Sequence, residues 1–385
     1  MTVKLRFGLA GIGAGAKNLL EGFAHNPNVE LRAAADLRQD ALAAMAREFG
    51  VQTFRSVEDM CSQGNLDAVW VATPNQFHAP HAIAALERGK HVIVSKPMAV
   101  TLEECEAMNQ AAERNGVLLL AGHSQAMAAP IRKTAELVSS GEYGRLAMTH
   151  TWHYTDWIYR PRLPAELDER QGGGAVFRQS PHQIDIVRCI AGSPVRTVRA
   201  MTYSLDSARP ATGAYTVFLG FESGATATIV YSGYGHFDAS ELTFGEGRPN
   251  IPTVRGKPAG EDESALKESA RYTGQPRAAD GRGHPFFGLT IACCEKADIR
   301  QSPKGLYVYT DQGRDEIELP IEEQRGDAEL NELYEAVVHG KPLLHDGRWG
   351  QATHEVTLAI IESAKEGREL RLPLPLGEGR GEGKA

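Results

Sequence analysis

Residues 5–16 read LRFGLAGIGAGA, an apolar run followed directly by a glycine-rich turn. Gly11, Gly13 and Ala16 satisfy the pattern G-x-G-x-x-G/A. In a strand–turn–helix unit the first glycine permits the tight turn, the second lets a pyrophosphate approach the backbone, and the small third residue keeps the helix against the strand. The helix N-terminus that opens at the turn favours negative charge. The stretch therefore predicts a dinucleotide-binding fold.

An acidic residue stands where that fold requires one, because Asp36 ends the second predicted strand about 20 residues after the turn. A carboxylate there accepts hydrogen bonds from ribose hydroxyls and repels a 2′-phosphate, so NAD is the favoured cofactor. Arg38 is able to pair with that phosphate, and NADP therefore stays open. The cofactor-binding residues predicted from this part of the chain are Gly11, Ile12, Gly13, Ala14, Ala16, Asp36, Leu37 and Arg38.

Outward from the turn, short apolar strands alternate with amphipathic helices. The strands are predicted at 4–10, 30–35, 68–72, 91–94 and 117–121. Helices are predicted at 39–49 and 80–88, and Thr101 with Glu104 forms a capping box that opens another. Strands that are apolar throughout and separated by helices indicate a buried parallel sheet. We expect an α/β chain with an N-terminal Rossmann fold over residues 1–124.

The pattern changes after about residue 125, where longer alternating strands begin. They are predicted at 145–154, 195–203, 215–221, 225–231, 306–310 and 316–319, with helices at 129–139, 181–191, 327–339 and 348–366. This predicts a C-terminal α/β domain, residues 125–372, built on a large, mostly antiparallel open sheet. Within it, 245–285 is read as an extended arm or lid, with a disordered surface loop as the alternative. The tail, 373–385, is expected to be disordered.

Only one face of that large sheet can pack on its own helices. The strand over 215–221 is predicted to place Tyr215, Val217, Leu219 and Phe221 on one face and Thr216 and Phe218 on the other. A partly apolar outer face predicts sheet-to-sheet pairing in a homodimer or homotetramer.

Composition and charge exclude several classes of partner. The formal net charge is −8 and the basic residues are scattered, whereas nucleic acid requires clustered lysine and arginine. No apolar run approaches the roughly 20 residues of a membrane helix. The chain runs from Met1 into the first strand without room for a signal peptide, and its five cysteines lack zinc spacing. We expect a cytoplasmic protein that acts on a small molecule and holds no metal.

Several motifs occur together downstream of the first turn. They are Thr73-Pro74-Asn75 with His78, then Gly89-Lys90-His91-Val92, then Ser95-Lys96-Pro97, and Gly172-Gly173-Gly174 followed by His182. The combination resembles the Gfo/Idh/MocA oxidoreductases, the family of glucose–fructose oxidoreductase and inositol dehydrogenase. The resemblance implies a Rossmann domain followed by a domain with a large open sheet, which agrees with the pattern of strands.

The resemblance also implies roles for these residues. The cofactor-binding residues it implies are Thr73, Pro74, Asn75, His78, Ser95 and Lys96. Lys96 would end a parallel strand beside the nicotinamide, and Lys96 and His182 are the two candidates for the base that removes a hydroxyl proton. Burial near a cationic ring lowers the pKa of a lysine, and histidine titrates near neutrality. Asp185, one helical turn beyond His182, is a candidate to orient it, and His123 is a candidate on the substrate side.

Two positions depart from the family pattern. Where the family has a glutamate before Lys-Pro, this chain has Ser95. Where polyol-oxidising members have an aspartate four residues before the histidine, it has Arg178. An arginine offers a planar fork of donors suited to a carboxylate. Arg178 is therefore read as a carboxylate-binding residue, with a solvated residue at the helix start as the alternative. Arg160 and Arg162 are candidates for binding a second carboxylate, and a surface loop is an equal alternative for them.

Residues 284–306 add a finer resemblance, to members described as phthalate 4,5-cis-dihydrodiol dehydrogenases. We therefore hypothesise an NAD(P)-dependent dehydrogenase that transfers hydride between nicotinamide and a hydroxyl-bearing carbon of a small cyclic, carboxylated substrate such as a cis-dihydrodiol. A sugar or inositol-type polyol dehydrogenase is the first alternative. A non-catalytic nucleotide-binding sensor is the second, although a sensor needs neither Lys96 nor His182.

Overall fold

The structure is a computed structural model, and it contains two β-sheets within the described residues. The structure describes residues 4–123, 125–237, 239–245, 263, 265–266, 284, 286–320 and 327–374. The helices within these residues include none with the length and hydropathy that a bilayer crossing requires.

The first sheet is built from the first six strands of the chain. These are β1 Leu5–Ala10, β2 Val29–Ala35, β3 Gln52–Phe54, β4 Ala68–Val71, β5 His91–Ser95 and β6 Leu119–Gly122. They pair in parallel in the order β3-β2-β1-β4-β5-β6. The helices between them are α1 Ala14–His25, α2 Gln39–Phe49, α3 Val57–Gln63, α4 His78–Leu86 and α5 Leu102–Asn115. This strand order is that of a Rossmann fold, so the prediction for the N-terminal part is confirmed.

The second sheet has nine strands. These are β7 Leu146–Tyr154, β8 Val195–Tyr203, β9 Ala214–Phe221, β10 Thr226–Ser232, β11 Leu289–Cys294, β12 Asp298–Ser302, β13 Gly305–Thr310, β14 Gly313–Glu318 and β15 Leu370–Arg371. Their order is β14-β13-β12-β11-β7-β10-β9-β8-β15, and β7 with β10 is a parallel pair in an otherwise antiparallel sheet. The predicted large, mostly antiparallel open sheet is confirmed.

The described residues of the second half contain the helices α6 Ala129–Ser140, α7 Pro164–Leu167, α8 Gly174–Ala191, α9 Asp327–His339 and α10 Gly347–Glu366. Of these, α6, α8 and α10 pack against strands of the second sheet. The buried residues of β9 alternate as predicted, with Leu219 fully buried on the helix side and Phe218 44% exposed on the other. Helix α9 is different, because its Leu330 and Leu333 join the hydrophobic core of the first sheet.

Two parts of the sequence prediction need correction. The helix predicted to start at Pro181 begins at Gly174, with Gly173 as its N-cap, and Pro181 lies in its interior. Proline usually marks a helix start because it lacks the N–H of an interior residue. Here the residues that follow Pro181 are buried against the sheet, and this packing offsets the missing bond. Strands β3, β11, β12 and β15 were not predicted, and the first of them is a short, mostly exposed edge strand.

Two predicted segments fall largely outside the described residues. Of the arm or lid at 245–285, the structure describes 245, 263, 265–266 and 284, and of the tail at 373–385 it describes 373 and 374. The predicted boundary between the two domains at residue 124 stays a prediction.

Candidate active site

The parallel strands of the first sheet end at one edge, and the predicted cofactor and catalytic residues follow five of them. Gly11 follows β1, Asp36 follows β2, the turn 73–75 follows β4, Lys96 follows β5 and His123 follows β6. Ligands of such sheets bind at the carboxyl ends of the strands. The strand order therefore brings residues that are far apart in sequence to one edge.

The turn after β1 has the shape that a dinucleotide phosphate requires. Gly11 has a φ of +87°, and a Cβ on it would lie 2.8 Å from the Cα of Thr73. Gly13 caps α1, and a Cβ built on it would meet no atom within 4 Å. A helix N-terminus with room in front of it favours a bound pyrophosphate. These residues fit the cofactor that the sequence predicts.

Asp36, at the end of β2, is tied to the turn and to Arg38. Its Oδ2 accepts the Ile12 N–H at 2.8 Å and Arg38 Nη2 at 2.9 Å, and its Oδ1 accepts Arg38 Nε at 3.0 Å. Burial acts to raise the pKa of the Asp36 carboxyl, but the hydrogen bonds from Arg38 and Ile12 outweigh it and hold the pKa below its usual value. A charged carboxylate thus stands where this fold binds a ribose. Leu37 beside it is 77% exposed.

His78 and Asn75 hold three turns together. The Nδ1 atom of His78 lies 2.7 Å from the Pro97 carbonyl oxygen, and its Nε2 lies 2.8 Å from the Thr73 carbonyl oxygen. Burial lowers the pKa of His78 to about 4, so the neutral ring donates to one of the two carbonyls. Asn75 Nδ2 donates to the Gly172 carbonyl oxygen at 2.9 Å. The Thr-Pro-Asn, Lys-Pro and triple-glycine turns are therefore fixed relative to one another.

Lys96 is partly buried and reaches helix α8. Its Nζ donates to the Arg178 carbonyl oxygen at 2.6 Å. Burial lowers the pKa of Lys96 to about 7, and the positive charges of Arg178 and Arg162 act in the same direction. The amine therefore exchanges its proton near neutral pH, as a general base must. Ser95 beside it accepts a hydrogen bond from Trp70 Nε1 at 3.1 Å.

Arg178 extends from α8 with 26% of its side chain exposed. Its Nη2 lies 3.0 Å from Glu166 Oε1, and its Nη1 donates to Asn75 Oδ1 at 3.5 Å. Glu166, in α7, also accepts the Leu163 N–H at 2.8 Å. The guanidinium is thus oriented by a protein carboxylate and keeps an exposed part, which suits the binding of a second carboxylate.

The two loop arginines are engaged by the protein itself. Arg160 pairs with Asp156 at 2.5 Å. Arg162 donates from Nε and Nη2 to the Trp157 carbonyl oxygen, at 3.0 and 2.8 Å, and its guanidinium lies 4.1 Å from the centre of the Trp157 ring. Arg162 is linked to the site through Glu166, 3.8 Å from its Nη1. Arg162 is buried, so it is not part of a surface loop, and the binding of a second carboxylate by Arg160 and Arg162 stays a prediction.

His182, on α8, packs against an aromatic ring. The His182 and Phe287 ring centroids are 4.8 Å apart, and Phe287 also stacks on His153 at 4.3 Å. Phe287 directly precedes β11 at residue 289 and so brings the edge of the second sheet to the candidate base. An apolar ring in this place provides a surface on which a cyclic substrate can pack.

Asp185 is grouped with other histidines. Its Oδ1 accepts a hydrogen bond from Trp349 Nε1 and lies 3.9 Å from His123 Nδ1, and its Oδ2 lies 3.6 Å from His345 Nε2. Burial lowers the pKa of His123 to about 4. Asp185, predicted to orient His182, and His123, predicted for the substrate side, are therefore neighbours, and the orienting role of Asp185 stays a prediction.

Sequence reasoning missed Glu166 and Phe287. Glu166 stands four residues after Arg162, a spacing that signals an ion pair on a helix, but its contact with Arg178 joins two separate elements. Phe287 lies in the stretch 284–306, where two consecutive phenylalanines were the available signal.

The assembled groups define what this edge can do chemically. It combines a phosphate-binding turn, a lysine with a pKa near neutrality and an arginine with an exposed fork. Such a site can deprotonate a hydroxyl beside a bound dinucleotide while the arginine holds an anionic group of the same molecule. Within the described part of the chain, no group of three or more histidine, cysteine, aspartate or glutamate side chains is arranged to hold a metal ion.

Two family models match the chain. The GFO/IDH/MocA model, described as an oxidoreductase family with an NAD-binding Rossmann fold, matches residues 5–123. The model of the GFO/IDH/MocA C-terminal domain matches residues 131–244.

Individual relatives extend the similarity over most of the chain. The 1-carboxy-3-chloro-3,4-dihydroxycyclohexa-1,5-diene dehydrogenase of Comamonas testosteroni is 34% identical over 94% of this chain and 95% of its own. The myo-inositol 2-dehydrogenase of Thermotoga maritima is 27% identical over 65% of this chain and 76% of its own. A Bordetella bronchiseptica RB50 protein, provisionally named a dehydrogenase, has a crystal structure that matches 96% of this chain with a TM-score of 0.88 and 37% identity, over 100% of its own length.

Proposed function

The chain belongs to the GFO/IDH/MocA family of NAD-binding oxidoreductases, and on that premise we propose that it oxidises a carboxylated cyclic cis-diol. The observation that carries the proposal is the contact between Arg178 and Lys96. The Arg178 guanidinium is partly exposed, and the carbonyl oxygen of the same residue accepts a hydrogen bond from Lys96 Nζ at 2.6 Å. A carboxylate-binding fork and a base are thus adjacent. The Comamonas relative is named for a cyclohexadiene diol that bears a carboxyl group, which presents both groups to such a site.

Lys96 is the proton acceptor of the proposed reaction. Its pKa of about 7 leaves much of the amine neutral at physiological pH. When bound, NAD supplies the hydride acceptor. The amine takes the proton of one hydroxyl as the C–H bond of the same carbon releases a hydride, and the resulting hydroxyketone tautomerises to a catechol. His182 holds the second hydroxyl, and the substrate ring packs on Phe287.

The cofactor is proposed to be NAD rather than NADP. Asp36 keeps a charged carboxylate at the ribose position, and Arg38, the residue able to pair with a 2′-phosphate, is hydrogen-bonded to Asp36 at 2.9 and 3.0 Å. Asp36→Ala is expected to weaken NAD binding and to relax discrimination against NADP. Fluorescence titrations in which the unmodified protein binds NADP more tightly than NAD would overturn the assignment.

The active protein is proposed to be a cytoplasmic homodimer or homotetramer. The sheet register sets Trp152, Val230, Thr216 and Met201 in one row across four strands. On this outer face Trp152 is 39% exposed and Met201 is 48% exposed. Exposed apolar side chains gathered on one face support pairing with a second copy.

Formation of NADH, followed by its absorbance at about 340 nm, tests the activity. The panel contains the carboxylated cyclohexadiene cis-diol without the chlorine of the Comamonas compound, its uncharged carboxamide and myo-inositol. The proposal expects kcat/KM to be highest for the carboxylated diol. A preference for myo-inositol would instead establish a polyol dehydrogenase, and NAD binding without oxidation of any of the three would favour the sensor.

A further inference from the structure

A chain of buried ionisable groups lies behind the proposed catalytic residues. Asp185, on α8 one turn beyond His182, is fully buried. It stands between two imidazoles, with His123 Nδ1 3.9 Å from its Oδ1 and His345 Nε2 3.6 Å from its Oδ2. Trp349 Nε1 donates to the same Oδ1 and fixes the carboxylate. Asp185 is therefore a link between the end of β6 and the segment before α10.

His345 continues the chain toward the surface. Its Nδ1 lies 3.0 Å from Glu332 Oε2, and Glu332 Oε1 accepts the N–H groups of Leu344 and His345 at 2.7 and 2.8 Å. Glu332 is on α9 and 15% of its side chain is exposed. The His345 carbonyl oxygen accepts the Ala121 N–H at 2.8 Å, which places the segment beside the strand that leads to His123. The series of ionisable side chains thus extends from His123, at the end of β6, to the partly exposed Glu332.

Two atoms in this series of ionisable side chains lack a hydrogen-bond partner. Among the described residues, neither His123 Nδ1 nor Asp185 Oδ2 has a hydrogen-bond partner, although both are buried. A network that only stabilised the fold would be expected to satisfy such atoms, because leaving them unpaired costs free energy. Gaps of 3.6 and 3.9 Å that face a carboxylate close with a small side-chain shift.

The charges around these groups favour a proton moving from His123 to His345. Burial lowers the pKa of His123, and the nearby positive charges of His345, Arg188 and Lys96 act in the same direction. Burial alone would lower the pKa of His345 too, but the hydrogen bond that its Nδ1 donates to Glu332 and the negative charges of Asp185, Glu332 and Glu329 raise it. A proton is therefore held less firmly at the inner imidazole than at the outer one.

We propose that His123, Asp185, His345 and Glu332 form a relay that carries the substrate proton from Lys96 to solvent. The inference rests on the proposed oxidation, in which the C–H bond gives a hydride to NAD and the O–H bond gives a proton to the Lys96 amine. Lys96 passes that proton to His123, and Asp185, His345 and Glu332 pass it to water. Each imidazole accepts a proton at one nitrogen and releases one from the other, so every group regains its starting charge, and a flip of each ring restores its tautomer before the next turnover.

The first test needs no substrate. Imidazole resonances of His123 and His345 are followed by NMR against pH in the NAD-bound protein and in Asp185→Asn. We expect the His123 resonance to respond to the titration of His345 in the unmodified protein and to lose that response in Asp185→Asn. If the chemical shift of His123 in the unmodified protein does not change as His345 titrates, the relay is overturned, whatever the substrate of the enzyme.

The second test uses turnover of the carboxylated diol in dilute buffer. Glu332→Gln keeps an oxygen for the two backbone N–H groups, and Glu335→Gln, on the same helix, is the control. We expect Glu332→Gln to lower kcat by about tenfold or more, to increase the solvent isotope effect and to recover when imidazole buffer is added, because the buffer replaces the internal acceptor. NADH affinity should stay unchanged, and Glu335→Gln should match the unmodified enzyme.

The outcomes of the two tests are distinct. A loss of kcat in Glu332→Gln that buffer does not restore, with an unaltered isotope effect, would show a structural role and contradict the relay. Absence of any oxidation by the unmodified enzyme would overturn the proposed function, and the NMR titration would then decide the proton coupling by itself.

Discussion

Lys96 performs the proposed proton transfer, and its protonation state sets the pH range of activity. Burial and the charge of Arg178 bring its pKa to about 7. A base acts in its deprotonated form, so kcat/KM for oxidation should rise as pH increases through about 7 and level off above it. Initial rates of NADH formation at saturating NAD, measured across the neutral range, test this. A flat profile would contradict the assignment.

Replacing the same side chain tests its role directly. Lys96→Ala should lower kcat by at least about 100-fold, because general-base catalysis contributes that much. The affinity for NADH should change little, since the Gly11 turn and Asp36 are the groups proposed to hold the other end of the cofactor. A loss of only about threefold would show that Lys96 is not the base.

Contacts at the residue scale show where sequence reasoning stops. Asp36 and its place after β2 were predictable, because a local pattern of strand, turn and helix defines them. The pair of Arg178 with Glu166 was not, because it joins side chains of α8 and α7 that no repeat or spacing relates. For the same reason the sequence did not reveal that Arg162 is engaged by the Trp157 carbonyl oxygen.

At the scale of elements, the turn between β1 and α1 makes a prediction for two glycines. Gly11→Ala should lower both thermal stability and NAD affinity, because its φ is +87° and its Cβ would strike Thr73. An L-residue in that conformation costs about 1–2 kcal/mol. Gly13→Ala should weaken NAD binding while the melting temperature without NAD is unchanged, since its Cβ meets nothing within 4 Å.

Calorimetric titration with NAD and thermal melts of both variants give the readout. If Gly13→Ala binds NAD as tightly as the unmodified protein, no pyrophosphate lies against this turn. If the two variants melt alike without NAD, the contact of Gly11 with the Thr-Pro-Asn turn does not constrain the fold.

Helix α8 shows how a reliable local rule can mislead. Proline predicts a helix start, yet this helix begins seven residues before Pro181, at Gly174. The difference has a functional consequence, because it places Arg178 inside a rigid element rather than at its fraying end. Burial of the following residues against the second sheet decided the outcome, and burial depends on tertiary packing that a single helix does not encode.

The whole molecule adds connections between distant parts of the chain. Most strands of both sheets could be predicted from periodicity, and buried and exposed positions alternate along β9 as predicted. The packing of α9 against the core of the first sheet could not be predicted, because its Leu330 and Leu333 form an ordinary apolar stripe that fits any core. Only the folded chain shows which sheet this helix covers.

The outer face of the second sheet makes a prediction about assembly. Phe218→Lys should convert an oligomer to a monomer or weaken it markedly, because it places a charge within an apolar contact. Leu344→Lys is the control, since Leu344 is 70% exposed in a segment outside the sheet. Light scattering at micromolar concentration measures both. A monodisperse monomer for the unmodified protein would contradict the proposed pairing.

Substrate charge is the property on which the account depends most. Arg178 is the exposed cation beside the proposed base, and a hydrogen bond to a charged group contributes about 1.5–3 kcal/mol. Arg178→Asp should therefore lower kcat/KM on a carboxylated substrate by roughly 10- to 150-fold, and charge repulsion adds to the loss. Arg178→Lys should be intermediate, since it keeps the charge but loses the planar fork.

The most direct measurement is kcat/KM for the carboxylated cyclohexadiene cis-diol and for its uncharged carboxamide, in the unmodified protein, Arg178→Lys and Arg178→Asp. The preference for the carboxylate should fall in that order, while activity on the carboxamide should change much less. An equal loss on both substrates would show that Arg178 is structural, and would contradict the claim that this enzyme recognises its substrate by a carboxylate.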